Sequence, residues 1–493
     1  MHLQRIQVPD FRVLKDVDIT FEKEFIPRIF PLGSLNGGGK STLLQLVFVL
    51  LHCSIDSNRI AFLKNMLNGL KIYDNSHKRI LAIVDIWNKN QNVRLEFFSY
   101  RNSYARDLLS HKGEAEADYY DYLCFSVAKQ TEELKDRIST QKRLINDIEN
   151  SLSSLKKLKN IEDDDKRELI LKEEIERLNT AFRSKDWLEN IIIDKSVSFE
   201  DILELIQREL ETFRLVLQKL NAEHRQAEIA SKKVLEYLKS QKLIYICNYS
   251  ATENEEEVLL CQIDNLDTNE ARYFLDKLST KVFLAAPATQ VFLFLPKESR
   301  KLLFRERSKD EKDDYYSDLQ ASKSRLSGFF AYDFLAVDIL IEAFKVARDK
   351  DFREAIETGE YGNNYQELMK DLSLIMGNKK INLNVDFSGV NFKFDRAGED
   401  IELYPEDLSH GELKRLGIYM WIKSRNIENA IVLMDEIEIA FHPDWQYQII
   451  SDLQQWAPSN QYILATHSYE LCQALTPSHV KELEPKLIKN QEA

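Results

Sequence analysis

Residues 33–42, GSLNGGGKST, join three consecutive glycines to a lysine and two hydroxyls. Side chains this small let backbone N–H groups converge on a phosphate, and a helix starting near Gly39 adds the field of its N-terminus. Asn36, Gly37, Gly38 and Gly39 would form the cradle. Lys40 is long enough to reach β- and γ-phosphate oxygens, and the Ser41 hydroxyl, followed by Thr42, can ligate Mg2+. One position departs from the G-x-x-x-x-G-K-S spacing: residue 34, where the first glycine falls, is Ser34, with Gly33 one place earlier. This implies a rearranged approach to the loop, not lost chemistry. A glycine turn with an incidental lysine is the competing reading; the apolar strand expected before the loop and the apolar helix after it count against that.

A second segment, IVLMDEIEIAFHP at 431–443, reads as a buried strand that delivers Asp435 and Glu436 at its C-terminal end, where α/β sheets place their ligands. Asp435 is placed to complete a Mg2+ shell and Glu436 to polarise an attacking water as general base. A strand ending in Asp-Glu says little alone; beside a phosphate loop it says a good deal. The third segment, LSHGELKRL at 408–416, begins polar and continues helical, so Ser409 and Gly411 offer a hydroxyl, bare backbone and a helix N-terminus to an anion. Its rival is an ordinary cap, with Ser409 at the N-cap and Glu412 three residues on. The fourth, ILATHSYEL at 463–471, is an apolar strand ending in Thr466, His467 and Ser468. A lone histidine after a strand is commonly structural. His467 stands 31 residues beyond Glu436 (467 − 436), room for one helix and one returning strand, which favours a γ-phosphate contact.

The elements that must position these residues follow from periodicity. Strands are expected at 3–8, 17–21 and 29–32, the last running into the glycine loop and the apolar helix STLLQLVFVLLHC. Further strands are expected at 80–87 and 93–100, and later at 243–249, 258–263 and 291–295. Between about 129 and 242 the composition turns to Leu, Ile, Lys and Glu. Leu134, Ile138, Ile145, Ile148, Leu152 and Leu155 fall at helical spacing, and so do Leu203, Ile206, Leu210, Phe213, Leu217, Leu220, Ala227, Val234 and Leu238. Two such arms predict an antiparallel hairpin about 45 Å long. IEDDDKRE and residues 194–200 read as turns around a third helix at 169–182, and 308–320 as a solvated linker. A helical subdomain packed on the body is the alternative to a coil. Helices at 334–348 and 365–376 precede short strands at 381–387 and 392–395.

Composition bounds the rest. At 493 residues the chain exceeds one ordinary core, and 44% hydrophobic residues can bury a large one. The balance 67 − 81 = −14 argues against a surface built mainly to neutralise nucleic-acid phosphates, though a local basic patch remains open. Five scattered cysteines without a Cys-x-x-Cys pair suggest neither a zinc site nor a disulfide framework. With no apolar run near 18 residues, a cytoplasmic protein without a membrane partner is expected.

These four segments, in this order, resemble the ABC-class ATPases of the SMC, RecF and OLD-like branch. GSLNGGGKS is similar to the Walker A, LSHGE to the signature, LMDEIE to the Walker B with its catalytic glutamate, IAFHP to the D-loop and THS to the switch histidine. His410 stands where the first signature glycine is usual. The resemblance implies an α/β P-loop head assembled from both chain ends, with an inserted antiparallel coiled-coil or helical hairpin. The expected boundaries are 1–125 (Walker A half), 126–242 (helical insertion), 243–378 (mixed α/β region) and 379–493 (C-terminal half). It also implies ATP and Mg2+ as ligands, catalytic roles for Glu436 and His467, and a two-fold dimer in which Ser409 and Gly411 complete the partner's site. Arg12, in the DFR turn, is similar to an arginine that contacts nucleotide. Gln130, with Gln91 as rival, is a candidate Q-loop glutamine.

Lys40 and Ser409 stand 369 residues apart (409 − 40), more than a compact transporter head needs. The short insertion further resembles the ATPases of Septu-type and retron-associated anti-phage systems, with PARIS-type ATPases as rivals. That implies a regulatory ATPase without nuclease activity of its own, acting on a separate effector such as an HNH protein, with DNA or a phage component as a further partner. A RecF- or SMC-like DNA-repair or DNA-organising ATPase is the alternative.

Overall fold

The structure is a computed structural model describing residues 1–34, 37–72, 76–89, 91–110, 118–158, 174, 199–252, 255–295, 324–332, 336–396 and 399–483. The chain forms two compact units, one of residues 1–101 with 242–493, the other of residues 102–241.

In the first unit the strands are β1 (His2–Phe11), β2 (Leu14–Thr20), β3 (Ile29–Gly33), β4 (Lys78–Asn88), β5 (Gln91–Arg101), β6 (Leu243–Ser250), β7 (Glu256–Ile263) and β8 (Val282–Ala286). They continue with β9 (Phe329–Ala331), β10 (Lys379–Leu383), β11 (Val390–Arg396), β12 (Glu399–Leu403), β13 (Ile431–Asp435), β14 (Gln461–Ala465) and β15 (Lys481–Glu482). One sheet is antiparallel in the order β2-β1-β4-β5-β7-β6, and the second is parallel in the order β15-β3-β14-β13-β8-β9. β10, β11 and β12 form a small antiparallel sheet.

The parallel sheet is covered on both faces, which is why β13 and β14 are apolar runs with every residue buried. Alternation still sorts their side chains. Leu433 and Ile463 enter the core that holds the helix Lys40–His52, while Val432, Met434, Tyr462 and Leu464 enter the core of the helices His410–Ser424 and Pro443–Trp456. Each such fully buried aliphatic side chain contributes about 1.5–3 kcal/mol.

The expected strands are present except the one at 291–295 and the second half of the one at 381–387, where residues 384–387 form the turn between β10 and β11. At the first of these, Ala288–Phe294 is a 3-10 helix, and Phe294 packs edge-on against Phe48 and Phe329. A short apolar run between prolines has no period of its own, and packing decides its form. One of the two strands that pair with β13 is β8, from KVFLAAP, which is not among the expected strands. β12, rich in acidic residues, was also not expected. Residues 102–125 belong to the helical unit, and β6, β7, β8 and β9 are drawn into the two large sheets by pairing that periodicity cannot show.

In the second unit the helices Val127–Lys157 and Phe199–Ser240 run antiparallel: Lys233 Nζ meets Tyr119 near one end and Arg214 meets Glu149 near the other. Leu134, Ile138, Ile145, Ile148, Leu152 and Leu155 are buried, as are Leu203, Ile206, Leu210, Leu220, Ala227, Val234 and Leu238; Phe213 and Leu217 are only half-buried. The turn IEDDDKRE, the helix expected at 169–182 except Glu174, and the linker at 308–320 lie outside the described residues. Among the described residues no helix is long and apolar enough to cross a membrane.

Candidate active site

In the parallel sheet Leu32 pairs with Ala465, Ala465 with Asp435, and Met434 with Ala285, so the C-terminal ends of β3, β14, β13 and β8 align. The glycine loop, the Thr466–His467 turn, Asp435–Glu436 and the segment after β8 therefore leave the sheet at one edge.

Gly37 and Gly39 have φ of 79° and 90°, the left-handed region that glycine enters without strain. Gly39 is constrained twice, because a Cβ there would sit 2.6 Å from Leu14 Cδ2. The β1–β2 turn thus packs on the phosphate loop, which brings exposed Arg12 beside it, with Nη2 donating to Met66 O at 2.8 Å. Gly39 caps the helix Lys40–His52 without a side-chain bond, so the residue itself leaves the helix N-terminus uncapped. Gly38 is buried, Ser41 and Thr42 are half-buried, and Asn36 lies outside the described residues.

Lys40, only 6% exposed, donates through Nζ to Ser34 O at 3.2 Å and Ser34 Oγ at 3.0 Å. The serine that replaces the spacing's first glycine thus holds the lysine. Burial pushes Lys40 below its ordinary value, while Asp435, Glu438 and Glu436 act to raise it. Asp435 is 1% exposed and accepts from the Ser41 hydroxyl and from Gln290 Nε2. Burial raises its carboxyl above the ordinary range, and Glu436 and Glu438 add to that. The charges of Asp435, Glu438 and Glu436 act on Lys40, and the Ser41–Asp435 pair supplies hard oxygen donors; both fit Mg2+.

Glu436 is half-buried with φ of 51°, a left-handed conformation worth about 1–3 kcal/mol of strain in a residue with a Cβ. Its N–H donates to Ala465 O at 2.9 Å, and its carbonyl accepts Lys414 Nζ at 2.9 Å. Lys414 also donates to Ile439 O at 3.1 Å. Exposed Ser409 caps the helix His410–Ser424, accepting from Glu412 N while Glu412 Oε2 accepts from Ser409 N. The capping box is therefore formed. Gly411 is needed because a Cβ there would lie 2.6 Å from Ala440 O. His467 is exposed, and its backbone N–H donates to Glu438 Oε1 at 2.7 Å.

The glutamine that donates to Asp435 is Gln290. Gln130 is exposed on the helical unit, and Gln91 is exposed at the start of β5. Gln290 Oε1 in turn accepts from Gln45 Nε2 at 2.8 Å. Its only sequence signal is a polar residue four places beyond the unexpected strand β8.

Over residues 1–472 the chain matches the profile of the AAA ATPase domain family, AAA_15. The chain belongs to the AAA_15 ATPase family. Among curated relatives, this AAA_15 chain is 33% identical over 97 residues to the retron Vc95 probable ATPase of Vibrio cholerae serotype O1 biovar El Tor, covering 17% of this chain and 18% of the relative. It is 38% identical over 51 residues to the retron Ec83 probable ATPase of Escherichia coli, covering 10% and 9%. The AAA_15 chain thus spans less than a fifth of the length of either relative. Among solved structures it aligns with the Pyrococcus furiosus Smc head domain bound to the C-terminal domain of ScpA at 11% identity and a TM-score of 0.30, covering 96% of this chain and 91% of that one. With the recombination mediator RecF the identity is 12% and the TM-score 0.25, covering 95% and 94%.

Proposed function

We propose that this AAA_15 chain binds and hydrolyses ATP with Mg2+, and that it is the regulatory subunit of a two-component anti-phage system resembling PtuA, acting on a separate nuclease of the HNH kind. The hydrolytic part rests on one observation: Lys40, Ser41, Asp435 and Glu436 converge at one edge of the parallel sheet. Lys40 binds the β- and γ-phosphates from a largely desolvated position, where its charge acts at low effective dielectric. Ser41 and Asp435 hold the cation, and Gln290 fixes the Asp435 carboxylate. Bound Mg2+ supplies neutralising charge to the phosphate oxygens. Glu436, held by its strained backbone, takes a proton from the attacking water. His467 contacts the γ-phosphate. Ser409 and Gly411 present the N-terminus of their helix to the nucleotide of a second subunit, which makes two equivalent sites by two-fold symmetry.

The regulatory part is supported by the two partial retron relatives and by the net charge of −14. Phosphate release by the purified chain, abolished in Lys40→Ala, tests hydrolysis; copurification with mass measurement tests the partner. The RecF- or SMC-like reading draws support from the antiparallel helical pair and requires ATP turnover to rise with added DNA.

A further inference from the structure

Glu438 follows the Asp435–Glu436 pair and is drawn into the interior, 9% exposed. Its Oε1 accepts the backbone N–H of His467 at 2.7 Å, which ties the turn after β13 to the turn after β14. Its Oε2 is buried and has no hydrogen-bond partner among the described residues. Its charge is felt at Lys40 and at Asp435.

A carboxylate placed only for stability would have both oxygens satisfied, because a buried charged oxygen without a partner is costly. Glu438 keeps that unfavourable arrangement beside the phosphate loop, and its one bond is to the main chain of a residue whose side chain is exposed at the site's edge. The one bond recorded for this carboxylate fixes the His467 main chain to the turn after β13.

We propose that Glu438 is a positioning residue for ATP hydrolysis, fixing the His467 turn against the Glu436 turn so that the His467 side chain meets the γ-phosphate at a set distance from the base. This rests on the hydrolytic reading above. Glu438 acts through His467 and does not itself touch the nucleotide. A misplaced contact of this kind lowers kcat more than it lowers nucleotide affinity.

A double-mutant cycle with steady-state kinetics and equilibrium ATP binding tests it. Glu438→Ala should lower kcat about 10-fold or more with ATP affinity within about 3-fold, and Glu438→Gln, which keeps an oxygen for the His467 N–H, should recover most of the loss. In a His467→Ala background, adding Glu438→Ala should change kcat by less than about 2-fold, since the two residues act as one unit. Full additivity of the two losses overturns the proposal, as does a Glu438→Ala chain that no longer folds, which would make the residue structural. A wild-type chain that releases no phosphate overturns the hydrolytic reading itself, a result distinct from an active enzyme with an additive cycle.

Discussion

Lys414 Nζ donates to the carbonyl oxygen of Glu436 at 2.9 Å, so the helix that begins at His410 holds the backbone of the general-base candidate in its left-handed conformation. Lys414 grips Ile439 O as well and lies 4.0 Å from the Tyr332 ring centroid. The helix His410–Ser424 and the Glu436 turn are thereby one mechanical piece within a single chain.

Removing that grip should release the turn. Lys414→Met leaves two carbonyls without their charged donor, and we expect a loss of about 2–4 kcal/mol in urea unfolding together with a lower kcat. An unchanged urea midpoint would show that the turn holds itself.

Gly411→Ala gives a test with an unusual sign. Alanine in a helix is ordinarily favourable over glycine by about 1 kcal/mol. Here the added Cβ would sit 2.6 Å from Ala440 O, a backbone atom that cannot swing away. The variant should therefore lose about 1–3 kcal/mol, read as a lower midpoint in chemical unfolding. A gain in stability would contradict the packing of this helix on the 436–440 turn.

His52 makes stability depend on pH. Its Nδ1 lies 2.6 Å from Ser279 O and its Nε2 2.8 Å from Arg59 Nη1, and burial, followed by the Arg59 charge, lowers it from 6.5 to about 4. The unfolded chain then takes up the proton first. The stability that neutral His52 contributes is complete above about pH 6.5 and is lost as pH falls toward 4, by about 3 kcal/mol at most. Buried His2, also lowered to about 4, shares this window. Unfolding free energy measured from pH 7 to pH 4 should fall less steeply in His52→Gln, and equal slopes would contradict the assignment.

On the effector question, the purified chain should leave plasmid DNA intact with Mg2+ or Mn2+. Metal-dependent cutting by a clean preparation would contradict the separate-nuclease reading.

What could be read from the sequence was what is local. The phosphate loop, the strand ending in Asp435–Glu436 and the cap at Ser409 are short segments whose geometry is set by their own residues. Gln290 was not legible, because it reaches Asp435 across 145 residues through the pairing of β8 with β13. The joining of β5 to β7 was hidden for the same reason, since a long helical insertion separates them in sequence. The consequence of Ser34 also needed three dimensions: its departure from the glycine spacing places an acceptor on Lys40.

The most direct test of the hydrolytic assignment is single-turnover ATP hydrolysis, with nucleotide binding measured in parallel, for the wild type, Lys40→Ala and Glu436→Gln. We expect Glu436→Gln to bind ATP about as tightly as wild type while its hydrolysis falls about 100-fold or more, with the ATP-bound chain accumulating as a dimer, and Lys40→Ala to lose binding. Hydrolysis by Glu436→Gln at the wild-type rate would contradict the assignment of Glu436 as general base.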